Sequence, residues 1–176
     1  MSRAALYILK KDGQGGEFAR CAEDHFARTG GSPQGLSLCR APEGKPFFYP
    51  GGPRFSVSHS AGIWAAAFSE AEIGLDVQKK RPAEWQSVAK RFFHPEEREF
   101  VLALGEEAFF SVWAAKEAYV KFTGEGIGAG FSAFSSVQGG ALAGEILGAP
   151  LIFPPAPEGY AMALCGADEV EVITDL

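Results

Sequence analysis

The chain reads as an α+β protein, and three observations predict this. Short β-like runs gather between residues 36 and 77 and again after residue 134, each bounded by Gly, Pro and Ser turns. Apart from one helix candidate at 17–28, the helix candidates come as a block over residues 85–122 instead of strictly alternating with the strands, which separates α+β from α/β. Each half also opens with helix and continues with antiparallel strands, a weak repeat of architecture without visible sequence identity. The segment Lys79-Lys-Arg-Pro82 breaks the rhythm, so the chain divides there into expected halves 1–80 and 81–176.

Each element has its own warrant. Residues 4–9 are a continuous apolar run flanked by Lys10 and Lys11, as in a strand, and residues 17–28 follow a helical pattern closed by Thr29-Gly30-Gly31. Strands are expected at 36–40, 47–49, 55–58, 63–68 and 73–77 in a meander. Helices are expected at 85–93, 95–104 and 107–122, and short strands at 134–137, 142–147, 151–153, 160–165 and 170–173.

Composition narrows the class. The chain has 176 residues and 47% hydrophobic content, enough for a packed core. The apolar run after the first residues is too short for a signal peptide, and no stretch approaches a membrane span, so a cytoplasmic protein without membrane contact is expected. Cys21, Cys39 and Cys165 are odd in number and lie at no metal-binding or redox spacing, which reads as reduced thiols.

A net charge of −6 argues against general nucleic-acid binding. The basic residues are uneven, however: Lys79, Lys80, Arg81, Lys90 and Arg91 cluster with Trp85, Phe92 and Phe93. That grouping fits either a solvated linker leading into a helix with core aromatics or a docking surface for an acidic partner.

The chemistry concentrates in two places. Asp76 ends the β-like run Ile73-Gly-Leu-Asp76, and Trp113-Ala-Ala-Lys-Glu117-Ala-Tyr-Val-Lys121 lies in a helical stretch too apolar to face solvent all round. Glu117 and Lys121 are four residues apart and share a helix face. A charge in apolar surroundings needs a partner. An acid and a base projecting together, with a lone Asp elsewhere, suit a hard cation and a phosphorylated ligand. The plainer readings are a turn residue for Asp76, a helix-surface pair for Glu117, and a His satisfying backbone groups in a Ser-rich turn for His59. Two other chemistries are excluded: Gly124, Gly126, Gly128 and Gly130 follow a helix and carry no Gly-Lys-Ser/Thr, and no Gly-x-Ser-x-Gly occurs.

These blocks resemble the bipartite signature of the 4′-phosphopantetheinyl transferases. Gly44-Lys-Pro46, Phe55-Ser-Val-Ser-His-Ser60 and Arg91-Phe-Phe93 stand in the family's order, so the resemblance covers roughly residues 44 to 135 and is nearest the two-repeat, surfactin-synthetase-associated type. It implies an active site in the cleft between two halves of one monomeric chain. It also implies Mg2+ held by Asp76 and Glu117, with Gln78 standing where many members carry a third, acidic ligand. Lys45, Ser58 and His59 would hold the nucleotide end of coenzyme A, and Lys121 would neutralise its diphosphate. Glu117 would be the general base, directly or through a water. The implied partner is an acidic acyl or peptidyl carrier protein docking near Lys80, Arg81, Arg91 and Phe92. The reaction would move the 4′-phosphopantetheine arm to a carrier serine and release adenosine 3′,5′-bisphosphate. A catalytically weak binding module for coenzyme A or the carrier is the alternative, and a magnesium-dependent phosphohydrolase would show a denser carboxylate cluster.

Overall fold

A computed structural model describes residues 1–11, 15–81, 84–126 and 130–176. Pro82 of the expected break and Gly128 of the glycine alternation lie outside the described residues. Strand β1 (Arg3–Lys10) and helix α1 (Glu17–Thr29) are followed by β2 (Ser37–Arg40), β3 (Pro46–Tyr49), β4 (Arg54–Ser60), β5 (Ile63–Ser69) and β6 (Gly74–Lys79). Three helices come next, α2 (Trp85–Phe92), α3 (Pro95–Leu104) and α4 (Glu106–Thr123), then a 3-10 turn at Phe131–Ala133. The remaining strands are β7 (Val137–Gln138), β8 (Ala141–Leu142), β9 (Glu145–Ile146), β10 (Ala149–Ile152), β11 (Tyr160–Cys165) and β12 (Glu169–Ile173). The α+β class is as expected.

Two four-stranded sheets, ordered β12-β1-β5-β4 and β6-β11-β10-β9, make the frame, with β2-β3 and β7-β8 as separate ribbons. Alternation along the strands sets the layers. Leu6 and Ile8 of β1 and Ala65 of β5 face Leu75 and Val77 of β6 and Leu164 of β11, which forms a core between the sheets. On the outer face of the first sheet, Tyr7, Trp64, Ala66 and Phe68 pack against Cys21 and Ala22 of α1. On the outer face of the second, Ala161, Ala163 and Cys165 of β11 pack under α4, with α2 and α3 beyond. Helix, sheet, sheet, helix is therefore the order of layers, and β5 is buried along its whole length.

The structure departs from the sequence expectation in its pairings. The run 36–77 is no single meander: β2 and β3 pair with each other as a separate ribbon, β4 and β5 join β1, and β6 leaves for the other sheet to pair antiparallel with β11. β12 runs parallel to β1, with Tyr7 opposite Ile173, so the first sheet is not wholly antiparallel. The strand expected at 142–147 divides into β8 and β9 around Ala143 and Gly144, whose side-chain-free backbone weakens a strand interior. The strand expected at 134–137 is reduced to β7, because the chain before it closes a 3-10 turn.

Helix ends follow local chemistry. α1 closes at Gly30, whose positive φ of 72° is open to glycine at no steric cost, and its N–H bonds Phe26 O. α3 starts with a capping box: the His94 side chain accepts from the backbone of the first turn, and the Glu97 carboxylate accepts from His94 N at 2.9 Å. Among the described residues no helix is long and apolar enough to cross a membrane. The three cysteines are free thiols, Cys21 and Cys165 buried.

Candidate active site

The site is set by the face of β6 that looks at α4. Gly74, Asp76 and Gln78 alternate onto that face, while Leu75 and Val77 point into the core between the sheets. At Gly74 the helix lies directly on the strand. A Cβ there would sit 2.0 Å from Ala118 O and 2.4 Å from Phe122 N. Backbone cannot yield as a flexible side chain can, so Gly74→Ala must push α4 off β6. Urea denaturation should show a loss of about 3 kcal/mol, at the upper end of overpacking effects. A midpoint like that of the parent would mean that the helix does not rest on this residue.

The close approach brings Lys121 onto Asp76. The Lys121 ammonium donates to Asp76 Oδ1 at 2.8 Å and to Leu75 O at 3.0 Å. Ser58 Oγ also donates to Asp76 Oδ1, at 2.8 Å, while accepting from Val77 N at 3.1 Å. Asp76 is 6% exposed, and its second oxygen, Oδ2, is buried without a hydrogen-bond partner among the described residues. A carboxylate oxygen in that condition is costly unless something positive meets it. Glu117 is half-buried one turn before Lys121. Burial, and then the negative charge of Asp76, push its carboxyl above the ordinary value, with Lys121 opposing.

Asp76, Gln78, Glu117 and Lys121 line one cavity of about 290 Å³ together with Ser58, His59 and Trp113. It runs into a second of about 450 Å³, which shares Val57, His59, Glu117 and Lys121 and extends past Arg40, Lys45 and Gly124. The structure thus gathers the sequence-predicted residues around one continuous cleft, but not in equal states. His59 is exposed at the rim. Lys45 is committed: its ammonium donates to Glu72 at 2.8 Å, Phe122 O at 3.1 Å and Ile73 O at 3.3 Å, which ties the β2-β3 ribbon to the C-terminal turn of α4. The Ser58 hydroxyl spends its one proton on Asp76, so it does not donate to a ligand in this arrangement. Of the basic patch, Lys80 pairs with Glu107, and Arg91 stacks over Phe92 with both exposed.

One ionic cluster beside the site is absent from the sequence reading. Lys116, next to Glu117, is fully buried, and its ammonium pairs with Glu97 at 2.7 Å and donates to Phe134 O at 2.7 Å. The Phe134 ring lies 4.1 Å from that ammonium. Glu97, equally buried, also accepts from Ser136 N at 2.7 Å and Ser136 Oγ at 2.8 Å. Burial pushes the Lys116 ammonium below its ordinary value, with Glu97 opposing. The signal was present in the helix: Phe109, Val112, Lys116 and Val120 share one stripe, so the lysine interrupts an apolar face.

A carboxylate pair and a lysine, set in an inter-sheet cleft of an α+β chain, are chemically suited to an anionic ligand accompanied by a hard cation. Comparison with known proteins gives the class a family. The model of the 4′-phosphopantetheinyl transferase superfamily matches residues 72–165, which runs from just before β6 to the end of β11. The chain belongs to that superfamily. It is 31% identical over 126 residues to the 4′-phosphopantetheinyl transferase Sfp of Bacillus subtilis, covering 64% of this chain and 54% of that protein. Over 109 residues it is 38% identical to a putative 4′-phosphopantetheinyl transferase of Synechocystis, covering 57% and 44%. A 4′-phosphopantetheinyl transferase of Bacillus pumilus is 35% identical over 86 residues, covering 47% and 36%. The matches thus span about half or less of these relatives' own lengths.

Proposed function

We propose that the protein transfers the 4′-phosphopantetheine arm of coenzyme A to a serine of an apo acyl or peptidyl carrier protein. The observation that carries this reading is the buried, unpartnered Oδ2 of Asp76, which lines the same cavity as Glu117 and Lys121. An oxygen in that state fits a hard divalent cation, and Asp76 and Glu117 would hold Mg2+ with Gln78 offering a neutral carbonyl oxygen. The bound ion would supply positive charge against the diphosphate.

The remaining work falls to the chain. Lys121 has one ammonium hydrogen beyond the two bound by Asp76 and Leu75, and it aims this at the diphosphate. His59 at the rim and Lys45 beside the larger cavity border the nucleotide end. Glu117 takes the proton from the carrier serine, directly or through a water. The serine oxygen then bonds to the β-phosphorus, the bond from that phosphorus to the bridging oxygen breaks, and adenosine 3′,5′-bisphosphate leaves. Positioning and charge neutralisation do most of the work. The acidic carrier docks at the exposed face around Arg81, Arg91 and Phe92, with Lys80 beside it. The halves 1–80 and 81–176 meet at the cleft, and one chain completes the site.

Intact-mass spectrometry of an apo acyl carrier protein with this protein, coenzyme A and Mg2+ tests the reading. A gain of one phosphopantetheine arm, lost with EDTA and in Glu117→Ala, supports it. No gain across several carriers, with coenzyme A binding measured separately, leaves a binding module instead. Gln78→Glu adds a charged oxygen beside Asp76 and should lower the Mg2+ concentration for half-maximal rate; an unchanged requirement would mean that residue 78 does not face the ion.

A further inference from the structure

β4 places Ser56, Ser58 and Ser60 at alternate positions, and all three hydroxyls meet the edge of β6. Ser56 accepts from Leu75 N at 3.0 Å, Ser58 from Val77 N at 3.1 Å and Ser60 from Lys79 N at 2.9 Å. β6 spends its other edge on β11, so among the described residues these N–H groups have no backbone ladder to join. A row of such donors left unmet inside the protein would be costly. The hydroxyls take the place of a neighbouring strand, and as rungs the three are equivalent.

Only the middle rung does something more. Ser58 Oγ, held by Val77 N, turns its proton to Asp76 Oδ1 at 2.8 Å. Lys121 donates to the same oxygen. Oδ1 is thereby saturated and Oδ2 is the oxygen left over. The two donors differ in kind. Lys121 is 31% exposed on a long stem and can swing towards a diphosphate, whereas the Ser58 hydroxyl is buried and anchored from behind.

We propose that Ser58 is a positioning residue, whose hydroxyl fixes the rotation of the Asp76 carboxylate so that one oxygen stays reserved for a divalent cation. The proposal rests on the reading of Asp76 as a cation ligand.

The test uses Mn2+ alone, counted by electron paramagnetic resonance against the whole protein without coenzyme A or carrier, together with thermal melts. Ser58→Ala should weaken Mn2+ binding by about 10- to 100-fold, as expected when a group that orients a ligand is removed. Ser58→Thr, which keeps the hydroxyl, should bind like the parent. Ser60→Ala removes an equivalent rung away from Asp76, so it should lower the melting temperature while binding Mn2+ like the parent. Parent-like binding in Ser58→Ala, with binding abolished in Asp76→Asn, overturns the positioning role. Unchanged binding in Asp76→Asn would instead overturn the cation reading beneath it. If Ser58→Ala fails to fold, Ser58→Cys carries the test: its weak S–H donor should give reduced affinity, and parent-like affinity overturns the proposal.

Discussion

Glu117→Gln is expected to lower the rate of carrier modification by about 10²- to 10⁴-fold, the range supplied by a positioned general base. The substitution keeps the shape of the side chain and a carbonyl oxygen towards the cavity, so the fold and the cavity stay in place. What disappears is the ability to accept the serine proton, along with one negative charge towards the proposed cation, so the assay is run at saturating Mg2+. Burial and the charge of Asp76 already favour proton uptake by Glu117 over that of an ordinary carboxylate. The carrier concentration for half-maximal rate should change little, because the proposed docking residues Arg91 and Phe92 are on α2, and Glu117 is on α4. Single-turnover mass spectrometry with saturating coenzyme A reads the effect. A variant within tenfold of the parent would remove Glu117 as the base.

The second large effect is on stability. Glu97→Gln is expected to cost about 3–5 kcal/mol in urea denaturation, because it leaves the Lys116 charge buried without its counter-ion. The amide introduced at this position can still serve His94 N or Ser136, so the loss reports on the charge more than on the hydrogen bonds. Adding Lys116→Met removes the orphaned ammonium and supplies a side chain that suits the Phe134 surroundings. The double variant should therefore recover most of the loss. Additive losses in the two single variants would show that the pair is not coupled.

The site was legible where its information is local. Asp76 two positions from Gln78, and Glu117 four from Lys121, fix which side chains share a face, and the structure places all four on one cavity. The helices α1 to α4 and most strands fall close to their expected ranges because capping residues and periodicity are local too. Partner choice is not local. Nothing in the apolar run of β1 says that Val172 will lie beside Leu6, or that β6 will pass over β5 to join β11. The serine alternation in Phe55-Ser-Val-Ser-His-Ser60 was visible, but its use depends on which edge lies opposite. Glu97 and Lys116 were each visible as well. Their ion pair joins α3 to α4, so only packing reveals it.

The parallel pairing of β1 with β12 has a bearing on how the protein is made. Ser2 and Asp168, which bond beside that pair, are separated by 166 residues of sequence. During synthesis β1 waits with one edge open until β12 has left the ribosome, and β6 likewise waits for β11. Contacts this distant raise the loop-closure cost of folding and slow it. While the intervening helices are being made, the strand that carries Asp76 is unsupported on one side, and the cavity it lines takes shape only once β11 has emerged to join it.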